Sequence, residues 1–148
     1  MRSVLVEADR EALCRRIASL TPTSFPRWGR LAVGPMLTHL CQNVRMALGE
    51  LKVEPKGKRA FQVFPLKHLI LYVFPFPKGA PTAPELLAAP PGPVEAEHRS
   101  LQGLLERLGR GPVEGAGPVH PLFGRLSRRE WGALTHKHTD HHLRQFGA

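Results

Sequence analysis

The chain has 148 residues, 42% hydrophobic and 22% charged, a size and balance that fit one globular domain over residues 1–148 with a real core. Its longest apolar run, Leu69 to Phe76, is too short to span a bilayer, and Glu7 and Asp9 interrupt any secretory apolar segment after Arg2, so Cys14 and Cys41 read as reduced thiols of a cytoplasmic protein without a membrane partner. The net charge of +9 is scattered, as Arg15-Arg16, Lys56 to Arg59, Arg107 to Arg110 and Arg125 to Arg129, with no dense stripe of interleaved aromatics; it reads as a solvated basic surface more readily than as a nucleic-acid interface.

The spacing of Leu13, Ile17 and Leu20 predicts a first helix from Glu7 to Leu20, closed by the breaker cluster Thr21 to Pro26. A second helix is expected over Val33 to Leu51. Pro35 is tolerated in its first turn, and Leu37, Leu40, Val44, Ala47 and Leu48 form its apolar face. The segment Phe61 to Phe74 is strongly apolar, and periodicity leaves open whether it is a short helix or a buried strand. Proline-rich stretches at Pro75 to Pro81 and Pro90 to Pro93 read as loops with stiff turns.

Val94 to Leu108 should again be helical, with Leu101, Leu104, Leu105 and Leu108 inward. Gly109 to Gly124 reads as a glycine-rich loop. It leads to a last helix opened by Ser127-Arg128-Arg129-Glu130, a capping box in which the serine hydroxyl and the glutamate each satisfy an orphan backbone N–H. Four amphipathic helices with a connection of about forty residues after the second predict an all-α four-helix bundle. Its expected topology is up-down-down-up, with the long crossover between the second and third bundle helices.

On the last helix His138 and His142 are four residues apart, so their rings share one face. That spacing offers two imidazoles to one metal ion; the competing reading is a pair of half-exposed histidines favoured by the helix dipole. His39 bears on the choice. In the expected topology it lies roughly 9 Å below the top of its helix, and His142 and His138 lie roughly 6 and 12 Å from the end of theirs. All three fall at one level.

Met36-Leu37-Thr38-His39 and His138-x-x-His141-His142-x-x-Gln145 resemble the DinB/YfiT-like superfamily of four-helix metalloenzymes. A small branch of that superfamily, of unknown function, is similar through Trp28-Gly29, His120-Pro121-Leu122-Phe123-Gly124, Trp131-Gly132 and Lys137 to Gly147. The likeness covers most of the chain and is weakest over Lys52 to Pro93. It implies a divalent metal, zinc or nickel, on His39, His138 and His142. Some relatives use the metal to activate a low-molecular-weight thiol; the motif does not itself imply that this branch does so, and a small-molecule substrate is expected, a thiol being one option.

Three neutral imidazoles leave a coordination position open for water or substrate. Cys41, two residues from His39, points to nearly the opposite helix face and is not a ligand. Asn43, one turn after His39, either lines the pocket or faces solvent. Gln145 is placed to orient a ring or a bound water, and His141 sits beside the pair or on the helix flank. His120 is either an ordinary loop histidine or a fourth ligand or acid–base group. No catalytic acid or base is assigned.

The sequence therefore supports a metal-dependent enzyme, a thiol S-transferase or a hydrolase. The alternatives are a non-enzymatic metal-stabilised bundle and a basic nucleic-acid-associated protein. The oligomeric state is open, a homodimer included.

Overall fold

The four longest helices bury most of the apolar stripe that the sequence displays. In chain order the helices are α1, Glu7–Ala18; α2, Val33–Ala47; α3, Leu66–His68; α4, Val94–Arg110; and α5, Arg128–Gln145. The structure, a computed structural model, describes residues 1–55, 59–79, 82 and 84–148. Lys56 to Lys58 of one basic group, and Ala80 and Pro81 of one proline-rich loop, lie outside the described residues.

Packing follows the leucine spacing. α1 turns Leu13 and Ile17 inward, and α4 turns Leu101, Leu104, Leu105 and Leu108 inward. α4 lies against α1 and α2, and α5 lies against the same two helices. α2 is buried nearly all round, so even its polar Thr38, His39, Gln42 and Asn43 lie inside. Burying such groups costs free energy unless each finds a partner.

α2 ends at Ala47, short of the expected Leu51. Gly49 adopts a left-handed φ of +80°, and the N–H groups of Gly49 and Glu50 turn back to the carbonyls of Met46 and Arg45 at 3.0 and 2.9 Å. This double closure is the usual way a glycine satisfies the last carbonyls of a helix. The ambiguous apolar segment is helical, as a 3-10 turn at Arg59–Gln62, then α3, then a π-turn at Leu69–Val73. Leu71 inserts into the core, and Nζ of Lys137 on α5 donates to the carbonyls of Ile70 and Leu71, the latter at 3.2 Å.

The expected all-α, up-down-down-up four-helix bundle with one crossover does not hold. The chain is mixed α/β, 54% helix and 6% strand, with five helices and a two-stranded antiparallel sheet. The strands are β1, Ala116–His120, and β2, Gly124–Ser127, and they occupy the stretch read as a glycine-rich loop. The turn Pro121 to Phe123 joins them, and glycines with positive φ flank the hairpin, Gly115 (+111°) just before β1 and Gly124 (+67°) at the start of β2.

The register slips between Ala116 and Val119, where Pro118 has no N–H to give the ladder. What holds the hairpin is tertiary. The Trp131 indole N–H donates to the Pro118 carbonyl at 2.9 Å, and a Cβ at Gly117 would come within 2.4 Å of the same ring. The capping box at the start of α5 forms as the sequence predicts, with Ser127 Oγ accepting from Glu130 N–H at 3.2 Å and Glu130 Oε2 accepting from Ser127 N–H at 2.7 Å. Among the described residues no helix is long and apolar enough to cross a membrane.

Candidate metal centre

α5 presents His138 and His142 one turn apart, and its packing on α2 brings His39 to them. Nε2 of His138 lies 3.2 Å from Nε2 of His39 and 3.1 Å from Nε2 of His142. The ring centroids are 5.0, 5.1 and 4.8 Å apart around the triangle. The three residues form a group able to hold a metal ion. Two imidazole nitrogens sharing one ion at bonds of about 2.0–2.1 Å would stand roughly 2.9–3.4 Å apart at octahedral to tetrahedral angles. Both measured separations fall in that range.

Hydrogen bonding among the rings accounts for the same distances less well. Nδ1–H of His142 donates to Oε1 of Gln145 at 2.9 Å, because an amide oxygen only accepts. The neutral His142 ring therefore aims a lone pair at His138. One proton on Nε2 of His138 cannot make linear bonds to rings on both sides. A cation that accepts a lone pair from each ring satisfies all three.

The electrostatics favour neutral rings. Burial pushes the His39 imidazole below its ordinary pKa, with the Leu86 backbone acting weakly in the other direction. Nδ1 of His39 nevertheless makes no hydrogen bond of normal geometry. Burial, reinforced by the neighbouring His39 and His142, holds His138 well below the usual range. Burial and the His39 charge bring His142 down to about 4, against the opposing bond from Gln145. Lone pairs are therefore available at neutral pH without a proton being displaced.

The residue behind His142 is itself fixed. Nε2–H of Gln145 donates to the Trp28 carbonyl at 2.8 Å, and Arg27 N–H donates to the Gln145 carbonyl at 2.7 Å. Gly29, with φ +77°, allows this approach, since a Cβ there would lie 2.8 Å from Nε2 of Gln145. The Trp28-Gly29 loop thus clamps the side chain that orients His142.

The other sequence candidates are distributed around the centre. Asn43 is buried on α2, one turn beyond His39, and does not face solvent. His141 stands beside the triangle, its ring 5.3 Å from that of His142, 6.1 Å from Phe76 and 6.0 Å from Trp28. His120 ends β1 and is not one of the converging rings. Its Nδ1 accepts from the N–H groups of Leu122 and Phe123 at 3.0 and 3.2 Å, and its ring packs on Phe123 and Trp131. The phenylalanines read from sequence as core or pocket wall, and Phe76, its ring 5.9 Å from that of His138, is one that lies beside the centre; its place there, like that of Leu86, comes from a segment with no periodicity to reveal it.

His120 sets an acid limb of stability. Burial lowers its pKa to about 4, against an ordinary 6.5. Between those values the unfolded chain binds the proton and the folded chain does not, so stability falls as the pH drops from 6.5 to 4 and levels off below. The loss is on the order of 3 kcal/mol for this one group. In His120→Asn the amide oxygen can still accept from Leu122 and Phe123 but does not titrate. Denaturant unfolding of chelator-treated protein across this range should show a shallower acid limb for the variant. Parallel limbs would remove His120 from the explanation.

The family model described as "Protein of unknown function (DUF1569)" matches residues 2–148. No curated protein and no solved structure matches the chain.

Proposed function

The chain belongs to DUF1569, a family of proteins of unknown function, and we propose that within this family it is a divalent-metal-dependent enzyme with an open centre on His39, His138 and His142. The observation that carries this reading is the pair of contacts at 3.2 and 3.1 Å made by the single Nε2 atom of His138. Three neutral nitrogen donors suit zinc or nickel. Bound there with its full charge and an open position, such an ion would lower the pKa of a water or a thiol toward neutrality. The reaction class is accordingly hydrolysis or thiol S-transfer on a small molecule. The likeness to the DinB/YfiT-like superfamily belongs to the same proposal and rests on His39 and His138-x-x-His141-His142-x-x-Gln145.

The protein's own residues have separate tasks. His39 and the two α5 histidines supply lone pairs, and Gln145 holds His142 in the tautomer that leaves Nε2 free. Phe76 packs edge-on against His138 at 5.9 Å between ring centres. Removing the orienting amide should weaken metal binding by about 10–100-fold. Gln145→Leu therefore predicts a calorimetric zinc affinity lower by that factor; equal affinity would show that the helix alone positions His142.

The functional test uses protein purified without an affinity tag, loaded with zinc or nickel, on panels of ester, amide and thiol-transfer substrates. The account expects turnover that disappears in His142→Ala. Stoichiometric metal with no turnover on any panel, together with a melting temperature that depends on the metal, would make the ion purely stabilising and overturn the enzymatic reading.

A further inference from the structure

Beside the three histidines lies a cavity of about 550 Å³. Pockets that hold small organic ligands run roughly 300–1,000 Å³. Its walls are aromatic and its charge is one-sided. Trp28 faces it from the loop before α2, and Tyr72 and Phe76 from the segment that follows α3. Arg2, Lys78, Lys137 and Arg144 line it against a single carboxylate, Asp140. That carboxylate is already committed, to Arg16 at 2.6 Å and to Arg144 at 2.7 Å. Lys137 is also committed, to the backbone carbonyls of Ile70 and Leu71. Lys78 is different. Its ammonium sits 4.6 Å from the centre of the Trp28 ring, and among the described residues it has no carboxylate partner.

We propose that this cavity binds a small organic anion with an aromatic or other flat apolar body, and that such anions are the substrate class of the three-histidine centre. The second half rests on the proposed metal function; the first half stands on the cavity alone. An excess of cations in a partly enclosed apolar pocket attracts anions more strongly than the same charges on an open surface. Trp28 and Phe76 give the apolar body aromatic surface to pack on, and the ammonium groups of Lys78 and Lys137 lie over those same rings at 4.6 and 4.9 Å, which sets positive charge beside apolar wall.

The cavity and the centre share a partition. Phe76 stands 5.9 Å from the His138 ring and 6.1 Å from the His141 ring, and His141 stands 5.3 Å from the His142 ring. The three histidines do not line the cavity themselves; Phe76 and His141, which do, are the rings that touch His138 and His142, so an anion in the cavity would lie one ring away from the centre. Gln145 ties both sides to one frame, bonding His142 on one side and the Trp28 carbonyl on the other.

The test is calorimetric titration of the full chain with 2-naphthylacetate and with its neutral amide, in metal-free and zinc-loaded protein. The account expects saturable 1:1 binding of the carboxylate, about tenfold tighter than the amide, and a loss of about tenfold in Lys78→Glu. Lys78 is exposed on a loop, so that variant keeps the fold, and circular dichroism checks it. Equal affinity for acid and amide, no saturable binding of the acid at millimolar concentration, or an unchanged affinity in Lys78→Glu would each overturn the proposal. Acid binding to a protein that takes up no metal would leave the anion pocket standing while sinking the metal centre. Normal metal uptake without acid binding would do the reverse.

Discussion

His138→Ala is expected to lose zinc and nickel binding by about a thousandfold while keeping its helical content. His138 is the ring both others meet, at 3.2 and 3.1 Å, so its removal leaves His39 and His142 with nothing between them. A three-ligand site with a binding free energy on the order of 10–16 kcal/mol loses roughly a third of it with one ligand, about 4 kcal/mol or three decades. The fold should survive because the imidazole contributes little to the metal-free protein. It is a polar group held neutral by burial, and the apolar core around Trp131, Leu134 and Leu143 remains on either side of it. His141→Ala provides the contrast: it removes an adjacent ring outside the converging group and should leave stoichiometric metal in place. Metal analysis and calorimetry on the two variants check the pair. An unchanged zinc affinity in His138→Ala would break the account at its centre.

Chelation should lower the melting temperature of the metal-loaded wild type by roughly 10 °C. Metal held at about a thousand times its dissociation constant stabilises the folded state by about 4 kcal/mol. Each kcal/mol moves the midpoint of a chain this size by roughly 3 °C. The effect has a structural route, because one ion would join His39 on α2 to His138 and His142 on α5, elements with no sequence proximity. His138→Ala should melt at the same temperature with and without chelator. A wild-type midpoint indifferent to chelation of its bound metal would mean the rings do not share an ion that helps to hold the two helices.

Sequence pattern and structure agree where local chemistry decides the outcome. The capping box at Ser127 and Glu130 fixes the start of α5 through bonds between neighbours, so it is visible in four letters. The same helical period places His138, His142 and Gln145 on one side of α5. The end of α2 was available in principle, because Gly49 is the residue that a left-handed helix stop requires. The hairpin was not. Gly117 and Pro118 are poor strand formers, and they sit in β1 only because Trp131 bonds the Pro118 carbonyl and fills the space above Gly117. That tertiary override turned an expected all-α bundle into a mixed fold. The approach of His39 to α5 depends on helix packing that no single segment encodes. Lys78, Phe76 and Leu86 come from a proline-rich stretch whose positions carry no period, so their relation to the site appears only in three dimensions.

X-ray absorption at the metal edge of zinc- or nickel-loaded protein tests the central claim most directly. The account predicts three imidazole nitrogens at about 2.0–2.1 Å, completed by one or more light oxygen or nitrogen donors and by no sulfur. A sulfur shell at about 2.3 Å, or fewer than three imidazoles per ion, would contradict a centre built from His39, His138 and His142.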